Sequence, residues 1–368
     1  MSVILLILII GVLIFIHELG HFVVAKYFKV RVDEFGMGLP PRAVKLFSRD
    51  GTDYTLNWIP FGGFVKIYGE DALEETTQTD PDYQKSFVAK KWWQQIAILI
   101  AGVTMNFLFA WILFSFVFMT GAPAAISTVA DPEQVQGAQL TVLQVIKDSP
   151  AEESGILPGD VIREIESLQG VTSGTLLTRE VFISEVQSMP ENTPIRILAV
   201  SPDGQEKNLL IIPEKNNEIP FVGVSIDQVG LYREGFFTAI GNGFTHTIFV
   251  AKETTKAFGN LIADAFRGEA DINTLTGPVG LVSVVGDAQK VGATQVVMLT
   301  ALISVNLAVL NLFPFPALDG GRIVMVLIET ITRRKIKPAI VQWVNGIGFL
   351  LLIGLMVIIT IKDIIKLF

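Results

Sequence analysis

The 368 residues are half hydrophobic and only 17% charged, with a mean hydropathy of +0.52, too apolar for an ordinary soluble protein and indicative of an integral membrane protein with some soluble mass. The net charge of −8 argues against nucleic acid as a partner. Cysteine is absent, which excludes disulfides and thiolate metal ligands, and histidine is confined to His17, His21 and His246, two of them in one pentapeptide.

Residues 2–25 supply the roughly 20 apolar residues a membrane-spanning helix needs. The run lacks a basic leader and a small-residue cleavage site, and Lys26, Tyr27 and Phe28 follow it, so it reads as a retained span rather than a signal peptide. Inside it stands HELGH (17–21). On a helix, positions i and i+4 share a face, so His17 and His21 can both point at one ion, with Glu18 beside them as a general base. This is the HExxH arrangement of zinc hydrolases. Ionisable groups at membrane depth are costly and by default functional; the alternative is a polar trio that only packs against other spans.

Residues 30–70 read as a cytoplasmic-side β element. Within 43–66, two apolar-rich strands flank RDGTD, and Asp50-Gly51 supplies a hairpin turn. The second strand ends in WIPFGGFV (58–65), and an apolar edge of that kind invites another strand. The element dips into the membrane, receives an extended peptide, or simply packs on its own helices.

A second span is predicted over 95–120, after the basic and aromatic flank KKWW (90–93). Residues 125–228 read as a globular α/β domain. DSPAEESGILPGDVI (148–162) carries a short helix pattern, Gly155 and a turn into a strand; a helix is expected near 178–188 and strands at 195–200 and 208–213. This set resembles a PDZ domain, which binds a chain end or strand at a sheet edge. Residues 236–266 are amphipathic, too polar to span, and are expected at the external membrane surface, with His246 structural or solvated there.

The third span covers 294–313 and the fourth 342–363. Between them lies NLFPFPALDGG (311–321). Pro314 and Pro316 cannot continue a helix, and broken backbone at membrane depth belongs where it lines a cavity. A catalytic zinc site needs a third protein ligand and an open position, and Asp319 is the best-placed carboxylate. Equally, Asp319 can serve as the cap of the helix that follows. Asn306 and Asn311 form a polar pair about 1.4 turns apart on the third span.

Basic residues orient the chain. Lys26, Lys29, Arg31, Lys85, Lys90 and Lys91 flank the first loop, and Arg322, Arg333, Arg334, Lys335 and Lys337 the last; both read as cytoplasmic. The acidic segment 121–236 reads as external. The fold class is thus a polytopic α-helical membrane protein of four transmembrane helices, with a membrane-associated β-hairpin and one inserted extracytoplasmic PDZ-like α/β domain.

HELGH in the first span, NLFPFPALDGG at 311–321 and a PDZ-like domain between the second and third spans together resemble the site-2 protease family, in its bacterial regulator-of-sigma-E-protease branch. The resemblance implies an intramembrane zinc metalloprotease of the bacterial cytoplasmic membrane, with one zinc per chain held by His17, His21 and Asp319 and with Glu18 as base. It implies substrate handling by Asn311, Pro314 and Pro316, and a re-entrant β element whose Trp58, Phe61, Gly62 and Gly63 meet the unwound substrate. Asn106 and TGPVGL (276–281) also match family positions. Val103 stands where the family commonly has proline, and only one PDZ-like domain is evident. The expected partners are the lipid bilayer and a single-span protein already trimmed outside, either anti-sigma-factor-like or a remnant signal peptide, with a peptide or C-terminus in the PDZ groove. The rivals are a catalytically silent membrane scaffold or chaperone, for which Glu18 is dispensable, and a metal transporter.

Overall fold

The computed structural model describes every residue except 71–78, 130–132, 134, 169, 191, 217–218, 269–276 and 366–368. It divides into two compact units, one of Met1–Ser115, Ile240–Gln289 and Gln295–Phe368, the other of Phe116–Ala239 with Lys290–Thr294.

In the first unit, four helices are long and apolar enough to cross a membrane: α1 (Ser2–Tyr27), α2 (Trp92–Thr120), α7 (Ala293–Leu312) and α9 (Pro338–Ile365). Each contains the span expected from sequence or matches it to within a residue. Leu6, Ile9 and Leu13 of α1 are buried in one apolar cluster with Val285 of α6 (Pro278–Val291). Asp363, a charge inside α9, is buried and accepts the backbone N–H of Gly280 at 2.9 Å, so it caps the start of α6, the job aspartate does well at a helix N-terminus. Of TGPVGL, Gly277 to Leu281 lead into that start, while Thr276 lies outside the described residues.

The β element is more elaborate than a two-stranded hairpin. Its strands are β1 (Val32–Arg49) and β2 (Thr52–Ile67), joined by Asp50 (φ 51°) and Gly51 (φ 77°), the left-handed pair of a tight hairpin turn. Residues 34–37 of β1 pair both with 53–56 and with 63–66 of β2, while 42–49 pair with 52–57 from the other side. Both strands fold back near their prolines, Pro40, Pro41 and Pro60, where a residue without an N–H cannot continue a ladder. The result is four short strands. The segment 63–66 is paired on one side only and forms an outer edge, while Ile59 pairs with Leu39 before the fold-back.

Helix α5 (Phe236–Arg267) packs against α2 and α7. The Trp111 indole N–H donates to the Ile240 carbonyl at 2.8 Å, Phe114 meets His246 edge-on, and the Thr254 hydroxyl donates to Asn306 Oδ1 at 2.8 Å. Part of α5 thus lies along two of the apolar helices, and His246 sits among aromatic rings, where burial lowers its pKa.

The second unit is an antiparallel sheet. It is built from β3 (Ala122–Ala125), β4 (Val135–Val145), β5 (Val161–Ser167), β6 (Gly170–Ser173), β7 (Ile195–Val200), β8 (Glu206–Ile211) and β11 (Val224–Tyr232), in the order β3-β11-β4-β5-β7-β8 with β6 on β5. β9 (Glu214–Asn216) and β10 (Ile219–Phe221) pair separately. Helix α3 (Pro150–Ser154) is capped by the Ser149 hydroxyl and ended by left-handed Gly155, as its sequence leads one to expect. Phe182 and Val186 of α4 (Arg179–Gln187) are buried with Ile162, Ile165, Ile195 and Ile197 of the sheet. On its outer side β11 is paired by β3 only over 229–232.

Candidate active site

Helix α1 carries His17 and His21 one turn apart, both 7% exposed. Their Nε2 atoms are 3.1 Å apart. The Oδ2 of Asp319 lies 3.0 Å from His17 Nε2 and 3.5 Å from His21 Nε2. Three ligand atoms so spaced form one face of a tetrahedron. A metal with bonds of about 2.0–2.1 Å needs ligand atoms roughly 3.3 Å apart on such a face, and the observed triangle brackets that value. These residues could therefore hold a tetrahedral ion and leave its fourth position open.

Asp319 reaches this place because α7 stops at Leu312 and the chain turns through Phe313 to Leu318 before α8 (Asp319–Thr332) begins. Gly320 and Gly321 make the return possible: a Cβ on either would stand 2.2 Å from the carbonyl oxygen of Phe313 or Phe315. The N-cap is Leu318, no side chain caps the helix, and the carboxylate of Asp319 turns to the histidines instead.

Helix α2 lies directly against the two rings. His21 Nδ1 donates to the Ile98 carbonyl at 2.8 Å; only a protonated nitrogen can face that oxygen, so in the neutral ring Nε2 carries the lone pair a metal requires. A Cβ on Gly102 would stand 2.3 Å from His21 Nε2 and 2.8 Å from His17 Nε2. Glycine there is what lets α2 approach the site. The Asn311 amide nitrogen is 3.5 Å from His17 Nε2, at the margin of hydrogen bonding.

Glu18 opens onto a cavity of about 280 Å³ between α1 and the β element, lined also by Phe15, Met37, Gly62 and Gly63. Trp58 is 72% exposed and does not line that cavity. The side chain of Phe61 lies outside the described residues, while its backbone continues β2. Pro316 packs on α9 at Gly348, and the Ala317 N–H donates to Asn345 Oδ1 at 3.3 Å, so the proline turn is docked on the last span. Pro314 forms its bend.

Composition and spacing did not point to Ile98, Gly102, or the ion pair of Arg322 with Glu70. The signal for α2 was present in the pair Gly102 and Asn106: a glycine and an amide one turn apart inside an apolar span mark a helix face with something polar opposite.

The family model for peptidase family M50 matches residues 5–355. The chain belongs to the site-2 protease family of zinc metalloproteases. A putative zinc metalloprotease of Clostridium perfringens is 33% identical over 99% of both chains. One of Clostridium acetobutylicum is 31% identical over 99% of this chain and 97% of its own. The zinc metalloprotease RasP of Oceanobacillus iheyensis is 26% identical over 100% of this chain and 99% of its own. Site-2 proteases are membrane proteins, in keeping with the four apolar helices.

Proposed function

We propose that His17, His21 and Asp319 hold the zinc of this metalloprotease and that Glu18 is its general base. The observation carrying this reading is the triangle of ligand atoms at 3.0, 3.1 and 3.5 Å beside a cavity that Glu18 lines. Zinc in such a site polarises a carbonyl and lowers the pKa of water to about 7. Glu18 takes the proton of the attacking water and returns it to the leaving amine. Asn311, beside His17 Nε2, directs an amide N–H toward the reacting carbonyl, and the Pro314 and Pro316 turn keeps it and Asp319 in register. Among the described residues no second group of histidines and carboxylates is gathered as a metal site, which counts against a transport path.

The substrate is a single-span membrane protein, anti-sigma-factor-like or a remnant signal peptide, cut in the bacterial cytoplasmic membrane toward the cytoplasmic side after a first cut outside. A helix keeps its carbonyls hydrogen-bonded within itself, so hydrolysis needs local unwinding, and the freed backbone needs new partners. The one-sided strand 63–66, with Gly62 and Gly63 on the cavity of Glu18, offers them by strand addition. The second unit is an extracytoplasmic PDZ-like domain. Its groove of about 330 Å³ lies between α4 and the 222–226 segment, and the open edge of β11 there receives an extended chain or the new C-terminus of the trimmed substrate.

The test is cleavage of a single-span reporter by purified protein in detergent with zinc, wild type against Glu18→Gln. Cleavage by wild type alone supports the reading. Equal cleavage by both overturns the role of Glu18 and points to a contaminant or another site; cleavage by neither across a panel of trimmed single-span substrates overturns the reading in favour of a scaffold.

A further inference from the structure

Ile98, Gly102 and Asn106 follow one another at single-turn intervals on one face of α2, and each meets the histidine pair. The Ile98 carbonyl fixes His21 and Gly102 makes room for both rings. Asn106 is 1% exposed, and its amide nitrogen lies 3.4 Å from His17 Nδ1. Its own oxygen, Oδ1, is buried without a hydrogen-bond partner among the described residues. A buried acceptor left unpaired is costly. The two ends of an amide have the same shape, and a half-turn about its last torsion exchanges them.

That half-turn brings the orphaned oxygen to His17 Nδ1. It also removes a second difficulty. With an N–H of Asn106 aimed at Nδ1, that nitrogen must be the lone-pair nitrogen of a neutral ring, and the ring proton must sit on Nε2, where it blocks a metal. With the oxygen there, Nδ1 carries the proton and Nε2 is free. We propose that Asn106 is a positioning residue: its Oδ1 accepts the hydrogen bond of His17 Nδ1–H and holds His17 in the tautomer and ring orientation that present Nε2 to zinc. The inference rests on His17 being a zinc ligand. The Ser304 hydroxyl donates to the Asn106 backbone carbonyl at 2.8 Å, so α7 anchors the same residue and the arrangement spans three helices.

The experiment measures zinc affinity of the full chain in detergent, by competition with a chromophoric chelator, for wild type, His17→Ala, Asn106→Ala and Asn106→Asp. Thermal unfolding of each metal-free protein serves as the folding control. Asn106→Ala is expected to weaken zinc binding about 10- to 100-fold, the usual effect of removing an outer partner of a histidine ligand. Asn106→Asp, which keeps an acceptor and loses the donor, is expected to stay within a few-fold of wild type. Wild-type affinity in Asn106→Ala, or equal losses in the two Asn106 variants with unfolding unchanged, overturns the proposal. Zinc bound normally by His17→Ala overturns the metal-centre reading itself; loss in His17→Ala with none in Asn106→Ala overturns only the role of Asn106. If the Asn106 variants fail to fold, nitrogen-15 spectra of the wild-type histidines decide: the His17 proton on Nδ1 supports the proposal, and on Nε2 in the zinc-loaded protein it overturns it.

Discussion

Arg322 and Glu70 form an ion pair between the first turn of α8 and the segment that follows β2. Arg322 stands one turn beyond Asp319, so the helix whose first residue lies against His17 and His21 is tied to the β element that lines the cavity of Glu18. The two side chains are 29% and 16% exposed, between a surface pair and a buried one. Arg322→Gln is therefore expected to destabilise the protein by roughly 1–3 kcal/mol, because it removes the cation facing a shielded carboxylate. Adding Glu70→Gln should recover part of that loss. Thermal unfolding of the two singles and the double checks it, and a strictly additive double mutant would refute the coupling.

Metal removal should be reversible in the wild type. A chelator is expected to stop cleavage and zinc to restore it, whereas Asp319→Ala, with only two ligands left, should retain little zinc and no activity. Metal content after gel filtration reads this directly. Asp319→Ala with a full complement of zinc would move the third ligand elsewhere.

Gly102→Ala tests the closeness of α2. Its methyl would stand 2.3 Å from His21 Nε2, well inside contact distance, so either a ring or the helix must move. Zinc affinity and activity are expected to fall together, with a destabilisation of about 1–3 kcal/mol from overpacking. An active, zinc-loaded Gly102→Ala protein would show that the two helices sit further apart.

Proline placed singly at 63, 64 and 65 probes the open edge. N–H groups alternate along a strand, so one set of positions donates outward and the other into the element's own sheet. Where the N–H faces out, cleavage of a helical reporter should drop about three- to tenfold, the worth of one backbone hydrogen bond, with thermal stability unchanged. Undiminished cleavage by every one of the three would exclude substrate pairing along this edge.

A pH window follows from the clasp at the root of the β element. Arg31 covers the ring of Tyr68 at 3.7 Å and pairs with Asp33 and Asp82 at 2.8 Å, while the Tyr68 hydroxyl donates to Asp80. That bond to a carboxylate pushes the Tyr68 pKa up to about 12 and holds Asp80 below its ordinary range. The Tyr68 contribution to stability is fully present below the unfolded tyrosine pKa near 10 and is lost as pH rises toward about 12. The Asp80 contribution is present above the ordinary carboxylate range and is lost as pH falls beneath it. An ultraviolet titration should show a phenol ionising near pH 12, and Tyr68→Phe should abolish that step.

The spans and the histidine pair could be read directly because each is a local pattern: hydropathy over 20 residues or so, and one helical turn. Asp319 was half legible. Its neighbours mark a broken helix, but the direction of the carboxylate depends on the packing of α8, which no local pattern carries. The hairpin turn at Asp50-Gly51 was plain, yet the folding back of both strands was not, since pairing of 34–37 with two segments at once is a tertiary outcome. The amphipathic pattern of α5 fits a helix on a membrane surface as well as one packed on Trp111 and Phe114, and sequence offers nothing to separate them. Gly102 escaped notice for a related reason: a missing side chain has meaning only beside the ring that fills its place.

On the proposed reading, substrate adds as a strand to the outer segment 63–66, and selectivity would then rest on backbone. A backbone ladder is blind to side chains, so a cleft built on it cannot read a motif letter by letter. It would sort candidates by how cheaply a stretch of helix comes undone beside Glu18. Two substrates with no residue in common would be treated alike if they unravel equally, and a single glycine or proline introduced at the right depth would turn a bystander into a substrate.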